Sequence, residues 1–268
     1  MKNGFEVIDS HCHIYPEKIV EKAVHGTDNF YGVVSACYGT VSDLFFQGGK
    51  AGIDRFIVQS VATTPKQVNS INNFIAEQVE FSGGKLIGLG TLHQDSPDMI
   101  SDVKHIVSLG LKGIKLHPEI QNFKIDEKRN YLMYELACKY NLPILMHTGD
   151  KRYDNSNPNR LTKVLKDFPD LTLIGAHFGG WSIYEQASIE LCGFKNLYVD
   201  CSSSFYCLTD EQITEIINRY GYDKVLFGTD YPMWSPEKEL DRFFSLPISD
   251  EGRKKILSEN CKKVFKFE

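Results

Sequence analysis

Short apolar runs alternate with amphipathic segments along the whole chain. The apolar runs are rich in Val, Ile and Leu, and we predict them as strands: residues 5–13, 55–62, 85–93, 113–118, 143–148, 171–177, 197–203 and 224–230. Their nearly continuous apolar character is typical of parallel strands that are covered on both faces. The intervening segments follow helical periodicity, with Ser or Pro near several starts and Gly near several ends. We predict helices at residues 65–81, 96–110, 126–141, 159–169, 182–193, 209–221, 235–247 and 249–265.

This alternation predicts an α/β protein, a single (β/α)8 TIM barrel domain over residues 1–268. No linker rich in Pro, Gly or Ser divides the chain. The alternative is an open doubly wound sheet, but no G-x-G-x-x-G turn follows the first strand. In a barrel the active site lies at the C-terminal ends of the strands.

Composition narrows the class of protein. The chain has 268 residues and a net charge of −5, and its basic residues form no long block, so we expect no nucleic-acid partner. The seven cysteines are odd in number and form no C-x-x-C pair, which favours a reducing compartment. No segment resembles a signal peptide or a membrane span. We therefore expect a cytoplasmic protein that acts on a small molecule and does not bind membranes. The sequence is compatible with a homo-oligomer.

Polar residues gather at the predicted C-terminal ends of five strands. They are His11, His13, Lys115, His117, His147, His177 and Asp230. A single histidine at such a position is more often structural, and we assign no role to His25, His93 or His105. Burying the whole group without compensation would cost several kcal/mol. Several imidazoles with one carboxylate are the ligands of a catalytic zinc-type site, so a divalent cation supplies that compensation.

The motifs DSHCH, GIKLHP, ILMHTG, LIGAHFGG and LFGTDYP occur in this order on strands 1, 4, 5, 6 and 8. Together they resemble the amidohydrolase superfamily, above all its amidohydrolase-related (amidohydrolase 2) branch of metal-dependent hydrolases and decarboxylases. The resemblance implies that His11, His13, His147 and Asp230 bind one divalent metal. We expect Zn²⁺, with Mn²⁺ or Fe²⁺ as alternatives. His177 then either completes a second metal site or stands free to stabilise an oxyanion or move protons.

Whether Lys115 is carboxylated determines whether the site binds one metal ion or two. The segment KLHP is similar to that of dihydroorotases, in which the lysine is carboxylated and bridges two metals. A bridging Lys115 would place His147 and His177 on a second ion. The alternative is an unmodified lysine beside a single ion, which the motifs AHFGG and GTDYP favour slightly. In either case we expect His117 to contact the substrate.

These residues predict a metal-dependent hydrolase of an amide, lactone or ester-like bond in a small, anionic substrate. Metal-bound water would attack the carbonyl, Asp230 would act as general base, and His177 would help to polarise the carbonyl. The alternative is a non-oxidative decarboxylase of an aromatic or unsaturated carboxylic acid. The two polar residues on strand 4 favour hydrolysis. A non-catalytic metal-binding protein is disfavoured, because no position of the metal site is missing.

The substrate-binding residues are predicted from position alone. Arg152, in the polar loop 149–160, would bind an anionic group of the substrate, and Trp181 and Tyr231 would form apolar walls. Phe45 and Phe46 lie between the first two strands, in a region that we predict to form a lid. Cys12 alternates with His11 and His13, so we expect it to pack in the core.

Overall fold

The strands of the barrel are short and parallel. The computed structural model describes all residues, Met1–Glu268. The strands are β1 (Ile8–His13), β2 (Arg55–Gln59), β3 (Leu86–Gly88), β4 (Gly90–Thr91), β5 (Ile114–Leu116), β6 (Ile144–Met146), β7 (Leu173–Gly175), β8 (Leu197–Asp200) and β9 (Val225–Leu226). Only Leu89 separates β3 from β4, and both lie within the predicted strand 85–93. The nine strands therefore correspond to the eight that were predicted.

Each strand pairs with its neighbour in the sequence, in the orders β1-β2-β3 and β4 to β9. The two sets meet at Leu89, whose N–H donates to the carbonyl of Val58 at 2.9 Å. The first and last strands also meet, because the N–H of Ser10 donates to the carbonyl of Phe227 at 2.9 Å. The chain thus folds as a (β/α)8 barrel, as the alternating pattern predicted.

The helices surround these strands. They are α1 (Val20–Tyr31), α2 (Val41–Ala51), α3 (Val68–Phe81), α4 (Met99–Ser108), α5 (Pro118–Gln121), α6 (Tyr131–Lys139), α7 (Pro158–Asp167), α8 (Tyr184–Leu191), α9 (Asp210–Tyr220), α10 (Pro236–Ser245), α11 (Asp250–Lys254) and α12 (Asn260–Phe265). The predicted C-terminal helix is divided into α11 and α12 by a π-helical turn. The helices α1 and α2, between the first two strands, were not predicted. No helix combines the length and the apolarity needed to cross a bilayer.

Two groups of apolar side chains form the core. The larger group includes Cys12 and fills the space between strands and helices. The smaller group contains Ile8, Ile57, Leu145 and other strand residues, together with Cys261, Val264 and Phe265 from the C-terminal segment. Because Ile8 begins β1 and His13 ends it, α12 covers the barrel end opposite the histidines. The polar strand ends are left facing a cavity.

Candidate metal centre

The predicted strand-end residues converge on one cavity of about 1590 Å³. All seven of them line it: His11, His13, Lys115, His117, His147, His177 and Asp230. Side chains from α1 and α3 form the outer part of the same cavity, among them Tyr31 and Glu77. The convergence follows from the fold, because parallel strands of a barrel present their C-terminal ends on one face.

Three donor atoms lie together at the centre of this site. His11 Nε2 is 3.3 Å from His13 Nε2. Asp230 Oδ1 lies 3.3 Å from His11 Nε2 and 3.6 Å from His13 Nε2. Two donors that each lie about 2.1 Å from one ion in tetrahedral geometry are about 3.4 Å apart. The spacing therefore fits one divalent cation held by two imidazoles and a carboxylate.

Asp200 orients the first of these ligands. Its Oδ2 lies 3.0 Å from His11 Nδ1, and because a carboxylate only accepts, that nitrogen carries the hydrogen. The Nε2 lone pair of His11 then points toward His13 and Asp230, as in a carboxylate–histidine–metal arrangement. Asp200 also accepts the backbone N–H of His177 at 3.1 Å. The sequence analysis missed Asp200, although an acidic residue inside the predicted strand 197–203 was a usable signal.

The backbone around Asp230 is constrained from both sides. Asp9 accepts the N–H of Thr229 at 2.9 Å and the hydroxyl of Thr229 at 2.5 Å, which ties the end of the last strand to the first. Asp230 has a φ of +60°, a conformation that costs energy in a residue other than glycine. Ser203 Oγ donates to Asp230 Oδ2 at 2.5 Å, so Oδ1 is the oxygen directed at the histidines.

His177 and His147 form a second pair. His177 Nδ1 lies 3.0 Å from the carbonyl of Ser202 and therefore carries a hydrogen. His177 Nε2 is 3.0 Å from His147 Nδ1, and the His177 ring stacks on that of His11 at 5.3 Å. His147 thus lies outside the three-donor cluster and is connected to it through His177.

Two buried atoms beside this pair have no hydrogen-bond partner: His147 Nε2 and Glu119 Oε2, which are 3.9 Å apart. Orphaned buried polar atoms in a set of metal-ligand side chains indicate a binding site for an ion, water or substrate. Burial lowers the pKa of His177 to about 4 and lowers the pKa of His147 well below its ordinary value. Both imidazoles are therefore neutral at pH 7, which is the form that binds metals.

Lys115 is buried beside the three-donor cluster. Its Nζ lies 2.8 Å from His11 Nε2. Burial lowers the pKa of Lys115 to about 8, while the carboxylates of Asp230 and Asp200 act in the opposite direction. A second group of ligand-type atoms comprises His11, His177 and Asp200. In this group Asp200 already accepts hydrogen bonds from His11 Nδ1 and from the backbone N–H of His177.

Of the four predicted substrate-binding residues, His117 lines the cavity, where its ring stacks on that of His147 at 4.1 Å. Arg152 does not line it: the guanidinium donates to Asp150 Oδ2 and to the carbonyl of Phe30, each at 2.7 Å. The assignment of Arg152 to a substrate anion is therefore corrected, because a carboxylate two residues away already occupies the guanidinium.

Trp181 and Tyr231 also lie outside the cavity lining. The Trp181 ring packs on that of Tyr31 at 5.0 Å, so it supports a cavity residue from behind. Tyr231 is fully buried, and its hydroxyl donates to Asp43 Oδ2 at 2.7 Å. The structure places Tyr231 in the packing between the last strand and the start of α2, and not in a substrate wall.

The predicted lid also differs from expectation. Phe45 packs against the core residue Phe56, with ring centroids 6.1 Å apart, and Phe46 is 69% exposed on α2. Neither residue lines the cavity. From this region the cavity is lined instead by residues 15–19, by α1 and by the start of α2, where the sequence analysis predicted no helix.

Two further cavity residues were missed. Glu119 follows the KLHP motif directly, is 7% exposed, and accepts a hydrogen bond from Ser156 Oγ at 2.5 Å. Burial raises the pKa of Glu119 to about 8. Tyr31 ends α1 and points its hydroxyl at His117 Nε2, 2.7 Å away. An acid next to a predicted site motif was a signal for Glu119, whereas nothing in the sequence around Tyr31 marked it.

Known proteins share this architecture over nearly the whole chain. An uncharacterised TIM-barrel protein from Bordetella bronchiseptica aligns with a TM-score of 0.80 at 21% identity, covering 97% of this chain and 98% of that one. A 5-carboxyvanillate decarboxylase from Sphingomonas paucimobilis aligns with a TM-score of 0.77 at 14% identity, covering 99% and 100%. A 2,6-dihydroxybenzoate decarboxylase from Rhizobium aligns with a TM-score of 0.74 at 17% identity, covering 98% of this chain and 99% of that one.

Identities this low establish the fold and not the activity. The family is established separately, by a model described as amidohydrolase that matches residues 8–267. That match includes every strand and every member of the three-donor cluster. The chain therefore belongs to the amidohydrolase family.

Proposed function

We propose that this protein is a metal-dependent, non-oxidative decarboxylase of a small aromatic or unsaturated carboxylic acid. The observation that carries the proposal is the convergence of His11 Nε2, His13 Nε2 and Asp230 Oδ1 on a single-ion site in the cavity. Similar structures include decarboxylases of carboxyvanillate and of dihydroxybenzoate. These relatives favour the decarboxylase alternative over the hydrolase that was expected first from the sequence.

We assign the metal to His11, His13 and Asp230. We keep His147, predicted from the sequence, as the fourth protein ligand, which requires its imidazole to turn the unpartnered Nε2 from Glu119 toward that cluster. The sequence favoured Zn²⁺, whereas a similar dihydroxybenzoic acid decarboxylase from Polaromonas contains manganese. Imidazole and carboxylate donors suit either ion. When bound, such an ion supplies a positive charge that attracts and orients the oxygens of an anionic substrate.

The residues of the chain must deliver one proton to the substrate. Decarboxylation breaks the bond between the ring carbon and the carboxylate carbon, releases CO₂ and leaves an electron pair on the ring carbon, which then takes up a proton. We assign the transfer of that proton to His177 Nε2, which takes it up from solvent for each turnover, because the one hydrogen of the neutral ring is on Nδ1 and is donated to the carbonyl of Ser202. His147 Nδ1, 3.0 Å away, keeps the His177 ring in place.

Hydrolysis remains the second candidate, and the geometry of Asp230 favours it specifically. Ser203 holds Oδ2, so Oδ1, the oxygen that faces the metal site, would be the one to accept a proton from an attacking water. His177 would then polarise the substrate carbonyl, as the sequence analysis expected. The two candidates use the same residues but differ in where solvent atoms appear in the product.

One experiment distinguishes them. Metal content is measured first, and protein loaded with manganese or with zinc is then incubated with aromatic carboxylic acids, lactones and amides. Decarboxylation is expected to release CO₂ and, in D₂O, to place one deuterium on the ring carbon that lost the carboxylate. Incorporation of ¹⁸O from labelled water into the product, without CO₂, would instead establish hydrolysis. His177→Asn is the matched variant, expected to keep its metal and to lose CO₂ release.

A further inference from the structure

Tyr31 brings a hydroxyl into the cavity from a helix outside the barrel strands. It is the last residue of α1. The hydroxyl oxygen lies 2.7 Å from His117 Nε2 and 3.4 Å from His147 Nδ1. Which of these atoms carry hydrogens determines what Tyr31 can donate to.

The ring of His117 has its hydrogen on Nε2. His117 caps the start of α5, and its Nδ1 accepts the backbone N–H of Ile120 at 3.3 Å. A backbone N–H can only donate, so Nδ1 must offer a lone pair and cannot carry a hydrogen. The hydrogen of the imidazole is therefore on Nε2, and His117 donates it to the Tyr31 oxygen.

The second contact does not use the Tyr31 hydrogen either. The hydrogen of the His177 ring is on Nδ1, so in the 3.0 Å contact between the two rings His147 Nδ1 donates to His177 Nε2. A ring nitrogen that carries a hydrogen cannot accept one from the Tyr31 hydroxyl, 3.4 Å away. No other group of the protein forms a hydrogen bond with the Tyr31 hydroxyl. The hydroxyl thus accepts one hydrogen bond and keeps an unused hydrogen beside the metal centre.

We infer that Tyr31 is a substrate-binding residue that donates this hydrogen to the carboxylate of the substrate. The inference rests on the proposed function, which supplies an anionic oxygen in the cavity. Hydrogen bonds to charged oxygens are roughly twice as strong as neutral ones, so an ordered hydroxyl with a free hydrogen favours a carboxylate over an uncharged ring.

Arg152 packs against the end of α1 behind Tyr31. Its guanidinium donates to the carbonyl of Phe30 at 2.7 Å and lies 5.4 Å from the centre of the Tyr31 ring. Asp150 fixes the same guanidinium from the other side. Arg152 is therefore a positioning residue that holds the end of α1 against the loop after β6.

The test compares Tyr31→Phe with Tyr153→Phe. Tyr153 stacks on Phe30 nearby but does not line the cavity, so it is the matched control. Calorimetry on manganese-loaded protein measures two probes: benzoate, whose ring has no hydroxyl groups to promote loss of its carboxylate, and resorcinol, which has no carboxylate. Tyr31→Phe is expected to weaken benzoate binding about tenfold, the size of one hydrogen bond to a charged group. Resorcinol affinity, manganese affinity and every property of Tyr153→Phe should match the wild type.

The outcomes separate the two proposals. If the wild type binds benzoate and Tyr31→Phe binds it equally well, the role of Tyr31 is overturned while the proposed function stands. A loss of manganese affinity in Tyr31→Phe would also overturn it, because the hydroxyl would then serve the metal ligands. If the wild type binds neither benzoate nor any carboxylic acid of the panel, the proposed function falls and takes this inference with it.

A second measurement needs neither substrate nor metal. Two-bond ¹⁵N–¹H NMR on protein with labelled histidines reports which ring nitrogen carries hydrogen. The His117 signals should show hydrogen on Nε2. Hydrogen on Nδ1 would remove the basis for a free Tyr31 donor and would overturn the inference.

Discussion

The two sides of the cavity differ in how completely their polar atoms are paired. On what we call the ligand side, His11, His13, Asp230 and Asp200 contact one another at 3.0 to 3.6 Å. On the open side, defined by Tyr31, His117, Glu119 and His147, two buried atoms have no partner and one hydroxyl hydrogen is unused. The ligand side is organised before anything binds, whereas the open side is completed by what binds.

This difference has a physical basis. A cation needs several donor atoms at fixed spacing. Residues that hydrogen-bond to the ligands, such as Asp200, hold those donor atoms in place. A substrate instead replaces the water around groups that the protein leaves unsatisfied, and that exchange provides specificity. Variants on the ligand side should therefore reduce metal binding, and variants of Tyr31, His117 and Glu119 on the open side should leave the metal in place. His147 is the exception on the open side, because it is the proposed fourth ligand.

The largest effect is expected for His13→Ala, which removes one of the three converging donors. Metal bound by two remaining protein ligands of this cluster should dissociate during purification, and activity should fall by at least about 10³-fold, as expected when metal catalysis is lost. Metal content by mass spectrometry and turnover are the measurements. His25→Ala is the control, since His25 is exposed and outside the cavity. Full metal content in His13→Ala would contradict the ligand assignment.

Asp200→Asn should have the next largest effect. The amide cannot replace the carboxylate that orients His11 Nδ1, and loss of such a partner typically lowers metal affinity 10- to 100-fold. Competition with a chelator measures the affinity. Ser202→Ala is the useful comparison, because Ser202 Oγ touches His11 Nδ1 at 3.1 Å without supplying a negative charge. Equal affinities for both variants and the wild type would show that Asp200 does not tune the ligand.

The strand-end residues on both sides of the cavity were predictable from sequence, including His117 and His147 on the open side, whereas Asp200, Glu119 and Tyr31 were missed. His11, His13, His147, His177 and Asp230 stand at strand ends, where a polar residue after an apolar run is a local signal. Contacts between distant segments leave no such signal. The Tyr31 hydroxyl meets His117, 86 positions away, from a helix whose sequence contains Gly26 and many polar residues.

The errors have the same origin. Arg152 was assigned to the substrate because it lies in a polar loop on the active face, but Asp150 is close enough in the chain to capture its charge. Tyr231 directly follows Asp230, yet its hydroxyl donates to Asp43 and its side chain is buried in the packing around α2. Position relative to a motif predicts the face of the barrel, and side-chain direction requires the structure.

Glu119→Gln tests the open side through stability. Burial raises the pKa of Glu119 from 4.5 to about 8 in the folded state, so the fold binds the proton more tightly than the unfolded chain does. The resulting stabilisation is present below about pH 4.5 and is lost as the pH rises toward 8, by a few kcal/mol at most. Chemical denaturation at several pH values should show this decline in the wild type and a smaller one in Glu119→Gln.

Glu127→Gln is the matched control for that series, because Glu127 is an exposed partner of Arg129. It should follow the wild type at every pH. Metal content should stay unchanged in Glu119→Gln, as expected for an open-side residue. A loss of metal in this variant would place Glu119 among the ligands and would remove the distinction between the two sides.

The smallest effect is expected for Ser203→Ala, which bears on how far the ligand side is organised in advance. Ser203 receives a hydrogen bond from Trp234 Nε1 at 2.7 Å and passes one to Asp230 Oδ2 at 2.5 Å. Without the hydroxyl, Asp230 keeps its charge and its backbone conformation but loses one orienting contact, so metal affinity should fall only about threefold to tenfold, as for one hydrogen bond. Trp234→Phe removes the donor to Ser203, and its metal affinity should fall less than that of Ser203→Ala. If both variants bind metal as the wild type does, the backbone at Asp230 alone directs Oδ1 at the histidines.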